Sequence, residues 1–238
     1  MASECCEGMI RLSSHGREVR RTQVENDRKY AGSRPAVNKN GATEHIEAEI
    51  RESIAVMANL GRQTAEIAET ASMIVSRLQA GGKVIVFGNG GSAADAQHMA
   101  AEFVGRYRAE RMALAALALT TDSSALTAIG NDYGFEQVFS RQLEAMGKAG
   151  DVVLAISTSG NSPNVLRGVE VAKKLGMATI GLSGKAGGKL RGMADICMCV
   201  PSDSIPRIQE AHTLIIHILS GIVENAFVEV GLLNHRIR

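Results

Sequence analysis

Val84-Ile85-Val86-Phe87-Gly88-Asn89-Gly90-Gly91-Ser92 is the stretch that decides the fold. A continuous apolar run stops at a glycine-rich turn, and a small-residue helix follows. Such a run reads as a strand covered on both faces, the kind found in parallel sheets. Working outward, four more apolar runs repeat the pattern: Ala113 to Leu119, Val152 to Ile156, Ala178 to Leu182 and Ile196 to Val200. Helical stretches separate them. The expected fold is α/β: a doubly wound, five-stranded parallel sheet with helices on both faces. Ligands bind such sheets beyond the carboxyl ends of the strands.

Upstream, Ile46, Ile50, Ile54, Met57 and Leu60 recur at helical spacing. Gly61 ends that helix, a second runs from about Gln63 to Leu78, and Gly81-Gly82 closes it. A long C-terminal helix is expected from Pro206 to about Glu229. Residues Met1 to about Gly41 are polar and lack sustained periodicity, and Gly32 to Gly41 reads as a linker. The division expected is a mobile N-terminal extension over residues 1–42 and one domain over residues 43–238. A misplaced start and a partner-binding arm are the other readings of the extension.

Composition narrows the function classes. Hydrophobic residues make up 45% and aromatics 3%, so the core must be built from Ala, Val, Ile, Leu and Met. The net charge of +1, without a long basic run, argues against a nucleic-acid partner. No uninterrupted apolar run reaches about 18 residues, so no membrane span is expected. No signal peptide is apparent. The four cysteines are Cys5, Cys6, Cys197 and Cys199. Cys197 and Cys199 share one face of a strand and are expected to be buried thiols, which suits a reducing cytoplasm.

Two strand ends carry chemistry. At the first, Gly88, Gly90 and Ala93 fit the dinucleotide fingerprint, which needs an acid about 20 residues on. Asp122 is the nearest candidate and comes too late. A tight turn without a ligand is the plainer alternative. The third strand ends in Ser157-Thr158-Ser159-Gly160-Asn161-Ser162-Pro163. Pro163 suits the first helical position and Ser162 the N-cap. Four hydroxyls crowding a positive helix terminus can hold a phosphate without Lys or Arg.

His98 and Glu102 lie one turn apart on one helix face, a pair suited to a metal but, taken alone, more often a surface contact. The last helix carries Gln209, Glu210, His212 and His217. Gln209 and His217 are separated by about 12 Å of rise and roughly 80°. One ion takes both only if the side chains lean together or subunits share the site.

Taken together, Phe87 to Ser92, Gln97-His98 with Glu102, Gly105-Arg106-Tyr107, Gly130-Asn131-Asp132, Ile156 to Ser162 and Arg207-Ile208-Gln209-Glu210 resemble the phosphoheptose isomerases of the sugar isomerase (SIS) domain superfamily. The resemblance runs in register from about Thr43 to Glu229. It implies isomerisation of sedoheptulose 7-phosphate to D-glycero-D-manno-heptose 7-phosphate through an enediolate, the first step of nucleotide-activated heptose biosynthesis. It implies substrate contacts from Asn89, Gly90, Gly91, Ser92, Glu102, Asn131, Asp132 and Gln209, with phosphate held by Ser157, Thr158, Ser159 and Ser162. His98, Glu102, Gln209 and His217 match metal ligands, with zinc as the implied ion. Glu102 and His217 match an acid–base pair. The family is a homotetramer with sites at subunit interfaces.

The N-terminal extension and Pro206, where an acidic residue is expected in some relatives, depart from the pattern. Two rivals share the fold. One is a replication-initiator-associating binding protein, which is not expected to keep the acid–base set. The other is a sensor or isomerase for another sugar phosphate. No helix-turn-helix pattern in the extension favours a DNA-binding regulator.

Overall fold

The computed structural model describes residues 39–236, with side chains through Val228. The expectation for the N-terminal extension therefore lies outside the described residues, apart from its last few positions. Residues through Ala48 group apart from the unit that begins at Glu49 and contains the sheet.

In chain order the elements are α1 (Lys39–Asn59), a 3-10 turn (Leu60–Gln63), α2 (Thr64–Gln79), β1 (Val84–Gly88), α3 (Gly91–Val104), β2 (Ala116–Ala118), α4 (Ser123–Tyr133), α5 (Ser140–Met146), β3 (Val152–Ser157), α6 (Pro163–Lys174), β4 (Ala178–Gly184), α7 (Gly188–Met193), β5 (Ile196–Val200) and α8 (Ile205–Arg236). The sheet order is β2-β1-β3-β4-β5, and every pairing is parallel. The chain leaves β1 for one edge and returns to β3 on the other side. The crevice between the ends of β1 and β3 is therefore the topological switch point. The glycine loop and the hydroxyl loop both open into it.

Alternation along each strand divides the core in two. Val84, Val86, Leu154 and Ile156 point to a layer with Ile74, Met99, Phe103, Ile215, Leu219 and Val223, from α2, α3 and α8. Ile85, Phe87 and Val153 point to the other, with Phe139, Leu143, Val165 and Val169, from α5, α6 and the turn before α5. Phe87 stacks on Phe139 at 5.1 Å where the first strand meets the second layer. Each fully buried aliphatic side chain here contributes roughly 1.5–3 kcal/mol.

The sheet edges depart from the sequence expectation. The second strand pairs only over Ala116–Ala118, because residues 113–115 precede its register with Val84. β5 alternates between covered and half-exposed positions, and Cys197 and Cys199 occupy the half-exposed ones. They are not buried thiols, since only one layer fully covers an edge strand. Ile46, Ile50 and Ile54 do form a helical stripe, but all are exposed.

Helix α8 continues to Arg236, past the expected end near Glu229. Its segment Ile205–Val228 is long and apolar enough to cross a membrane by composition. In this fold its buried residues Ile208, Ala211, Ile215, Leu219 and Val223 belong to the sheet's own core, and Arg207, His212 and Glu224 are buried with them. Its apolar character is thus accounted for by core packing. Pro206 falls in the first helical turn, where its missing N–H leaves no bond unmade.

Candidate active site

At the switch point, the glycine loop and the head of α6 are tied by a reciprocal amide pair. Asn89 Nδ2 donates to Asn164 Oδ1 at 2.9 Å, and Asn164 Nδ2 donates back to Asn89 Oδ1 at 2.8 Å. Asn164 is buried, and its Oδ1 also accepts from the Val165 N–H. Gly91 is required by a close approach: a Cβ there would lie 2.5 Å from Gln209 Nε2. Gln209 therefore lies over the N-terminus of α3.

The hydroxyl loop keeps its chemistry available. Ser162 occupies the N-cap of α6, yet its side chain makes no capping bond. Instead its Oγ lies 3.0 Å from Ser157 Oγ. Ser159 Oγ accepts from the Asn161 N–H at 3.2 Å. Two hydroxyls paired at a helix N-terminus can form an anion seat. At the neighbouring strand end, Asp122 Oδ1 caps α4 by accepting from the Ala125 N–H. That use accounts for the acid that the dinucleotide reading requires.

The second half of the site is made by two helix faces. α3 and α8 run side by side in the same direction, and their side chains meet in sequence. Gln209 lies on Gly91, Thr213 Oγ1 donates to Asp95 Oδ1 at 2.9 Å, and His217 Nε2 lies 3.2 Å from His98 Nε2. One turn past His98, Glu102 Oε1 lies 3.1 Å from His98 Nε2. The donor atoms of His98, Glu102 and His217 all fall within 4.8 Å of one another. Burial pushes the Asp95 carboxyl above its usual range, against the opposing pull of Thr213 and His98.

Tyr107 completes the cluster. Its ring stacks on His217 with centroids 5.6 Å apart, while His98 meets the same imidazole edge-on at 4.8 Å. The loop that carries Tyr107 is fixed from α8. The buried Glu224 carboxylate accepts from the N–H groups of Tyr107, Arg108 and Ala109, each at 2.8 Å. Arg111 pairs with Glu224 at 3.4 Å and donates to the carbonyls of Glu102, Phe103, Gly105 and Met112. Burial would raise the Glu224 pKa, but the three N–H groups and Arg111 together hold it below the usual range. On its outer side His217 borders a hollow of about 320 Å³, lined also by Tyr107, Leu214, Ile218 and Gly221.

Comparison with known proteins gives this geometry a family. The SIS domain family matches residues 48–184. A phosphoheptose isomerase from Geobacter sp. (strain M21) is 53% identical over 182 residues, covering 76% of this chain and 95% of its own. Phosphoheptose isomerase 1 from Campylobacter jejuni is 57% identical over 162 residues, covering 68% of this chain and 87% of its own. The structure of a phosphoheptose isomerase from Neisseria gonorrhoeae superposes with a TM-score of 0.74 at 45% identity, covering 77% of this chain and 99% of that one. The chain belongs to the phosphoheptose isomerase family.

Not all the residues matched to the family's motifs converge within one chain. His98, Glu102 and His217 do, as do Asn89, Ser157 and Ser162 at the switch point. Gln209 sits with the glycine loop, at the position of Gly91, about 10 Å along α3 from His98. Asn131 and Asp132 are exposed at the end of α4, where Asn131 Nδ2 donates to Asp132 Oδ1 at 2.7 Å. Among the described residues, no hydrogen bond joins either to the strand-end loops. Asp132 lines a cleft of about 470 Å³ with Tyr133, Arg141 and the end of β2 at Ala118, Thr121 and Asp122.

Sequence reasoning missed Tyr107, Asn164, Arg111 and Glu224. Tyr107 stood in a motif of the resemblance, but nothing in the spacing gave it a partner. His212 is structural: buried, it meets the Ser183 carbonyl at 3.1 Å, and burial drives its pKa down to about 4.

The three converging donors fit a divalent metal. Two ligands held at about 2.0–2.1 Å by one tetrahedral ion lie roughly 3.3 Å apart. The separations of 3.1 and 3.2 Å from His98 come close to that figure, and the remaining pair, Glu102 and His217, lies within 4.8 Å. Two imidazole nitrogens facing each other also need a shared proton or a cation between them. A His2Glu set suits zinc among such ions.

Proposed function

We propose that this chain interconverts sedoheptulose 7-phosphate and D-glycero-D-manno-heptose 7-phosphate, the opening step of nucleotide-activated heptose synthesis. Family membership supports the reaction. The meeting of Glu102 with His217, brought together from distant stretches of chain, is the observation that carries it. A binding protein that had lost the reaction would have no need of this meeting.

The reaction moves one proton between C1 and C2 of an open-chain sugar and redistributes protons on the two oxygens. Glu102 takes the carbon-bound proton from C1 and returns it to C2 of the enediolate. His217 moves the proton between O1 and O2, its ring held by Tyr107 and His98. His98, Glu102 and His217 would hold a zinc ion, which would supply Lewis acidity toward the carbonyl oxygen; Glu102 and His217 then act on protons only where their contacts to the ion loosen. Ser157, Thr158, Ser159 and Ser162 hold the phosphate at the far end. Binding energy spent there positions the reacting carbons. Asn89, Gly90, Gly91, Ser92 and Gln209 line the sugar between the two ends.

The working form in this reading is a cytoplasmic homotetramer. Leu214, Ile218 and Ile222 form an exposed apolar stripe on α8, and Ile46, Ile50 and Ile54 form another on α1. Both need cover. A second copy would also bring Asn131 or Asp132 to a site that one chain leaves incomplete.

NMR of sedoheptulose 7-phosphate incubated with zinc-loaded protein tests the reaction. New anomeric signals of the aldose are expected. An unchanged ketose spectrum, alongside turnover of a pentose or hexose phosphate, would reassign the substrate. No turnover of any sugar phosphate would overturn the proposal.

A further inference from the structure

The geometry points to a second metal site, on edge strand β5: Cys197 and Cys199 form a two-thiolate seat for a thiophilic divalent cation such as zinc or cadmium. The Sγ atoms lie 3.8 Å apart. Two thiolates at about 2.3 Å from one tetrahedral ion lie roughly 3.8 Å apart. The sulfurs are thus already at chelating distance.

Their positions are fixed by the fold. A Cβ on Gly181 would lie 2.8 Å from Cys197 Sγ, and one on Gly187 would lie 2.6 Å from Cys199 Sγ. Each sulfur therefore occupies a slot that exists because glycine faces it. Both cysteines are half-exposed, so solvent can fill the remaining coordination positions. The two thiols do not ionise alike: the Cys199 hydrogen bond and burial push Cys197 up, while the hydrogen bond from Cys197, with Arg191 nearby, brings Cys199 down, so the first proton leaves Cys199. The ion displaces the second proton.

The same geometry disfavours a disulfide. Residues two apart on a strand keep their Cβ atoms about 6.6 Å apart, whereas a disulfide spans about 3.5–4.5 Å. Oxidation would have to buckle β5, while chelation requires no backbone movement. The seat is separate from the His98, Glu102 and His217 cluster, which contains no sulfur ligand.

The test is a cadmium chloride titration of the reduced, metal-free full chain carrying Cys5→Ser and Cys6→Ser, which removes the other two thiols. A thiolate-to-cadmium charge-transfer band reports sulfur ligation, and ions bound at the histidine cluster do not produce it. The band is expected to saturate at one ion per chain. Losing an outer-shell partner weakens metal binding about 10–100-fold, and losing a ligand costs more. Adding Cys197→Ser or Cys199→Ser should therefore weaken the band's cadmium affinity at least about a hundredfold. Melting temperatures establish that the variants fold. If either serine variant does not fold, protection of both thiols from alkylation by cadmium in the parent chain decides instead. No band at millimolar cadmium, a band unchanged in both variants, or thiols that stay reactive would overturn the site.

Discussion

The two halves of the site are built differently. The switch-point half comes from loops at the ends of β1 and β3, where backbone geometry and short polar side chains do the work. The helix-face half comes from α3 and α8, far apart in sequence, and depends on which turns face each other. The first is local and written in contiguous residues. The second exists only after the sheet has set the two helices side by side. Damage should differ accordingly: loop substitutions should weaken binding, while helix-face substitutions should abolish chemistry or loosen the fold.

The largest effect is expected at Glu224. Replacing it with Ala leaves Arg111 buried without its partner and frees three backbone N–H groups. A loss of about 3 kcal/mol or more is expected in urea denaturation. A change under about 1 kcal/mol would show that the helix-face half does not depend on this latch. Next is Glu102→Gln, which should lower kcat at least about a hundredfold, equivalent to about 2.7 kcal/mol, at unchanged melting temperature. Near-normal turnover would remove Glu102 from its role and dissolve the contrast between the halves.

His212 anchors α8 to β4 through the Ser183 carbonyl and tests that half by pH. Burial lowers its pKa to about 4, so the unfolded chain takes up the proton first as pH falls. The stabilisation from keeping it neutral is complete above about pH 6.5 and is lost progressively toward pH 4. Between pH 7 and pH 5 the wild-type chain should lose about 2 kcal/mol through this residue. His212→Gln should remove that part of the slope. Equal slopes in the two proteins would exclude His212 as its source. The smallest effect is expected in the loops. Ser157→Ala or Ser162→Ala should raise KM for the phosphosugar about tenfold, the scale of one hydrogen bond to a charged group, with kcat little changed. A loss in kcat without a change in KM would place these hydroxyls at the reacting carbons instead.

The same contrast governs what could be read from sequence. β1, β3 and β4 announce themselves as apolar runs because both faces are covered. The cover of the edges β2 and β5 depends on neighbours that the runs do not name. Thus the run from Ala113 predicts a strand that in the structure starts at Ala116, and the alternation at Cys197 and Cys199 predicts burial where both are half-exposed. Ser157 to Ser162 was legible because hydroxyls, Pro163 and a helix start are consecutive. The His98–Glu102 pair was legible as a helix face, but its partner was not. Rise and azimuth along α8 alone cannot say that His217 faces α3, or that Tyr107 stacks on it. Those contacts follow from the parallel course of two helices fixed by the sheet. The stripe Ile46, Ile50 and Ile54 had the right period, but periodicity cannot say what covers it.

The reciprocal bond between Asn89 and Asn164 has one further consequence. Each amide uses a donor and an acceptor on the other, so the glycine turn and the neighbouring helix cap behave as one rigid bracket. A molecule gripped at one jaw finds the other at a preset span. Carbon-chain length would then be gauged by a stiff calliper before any bond is made or broken.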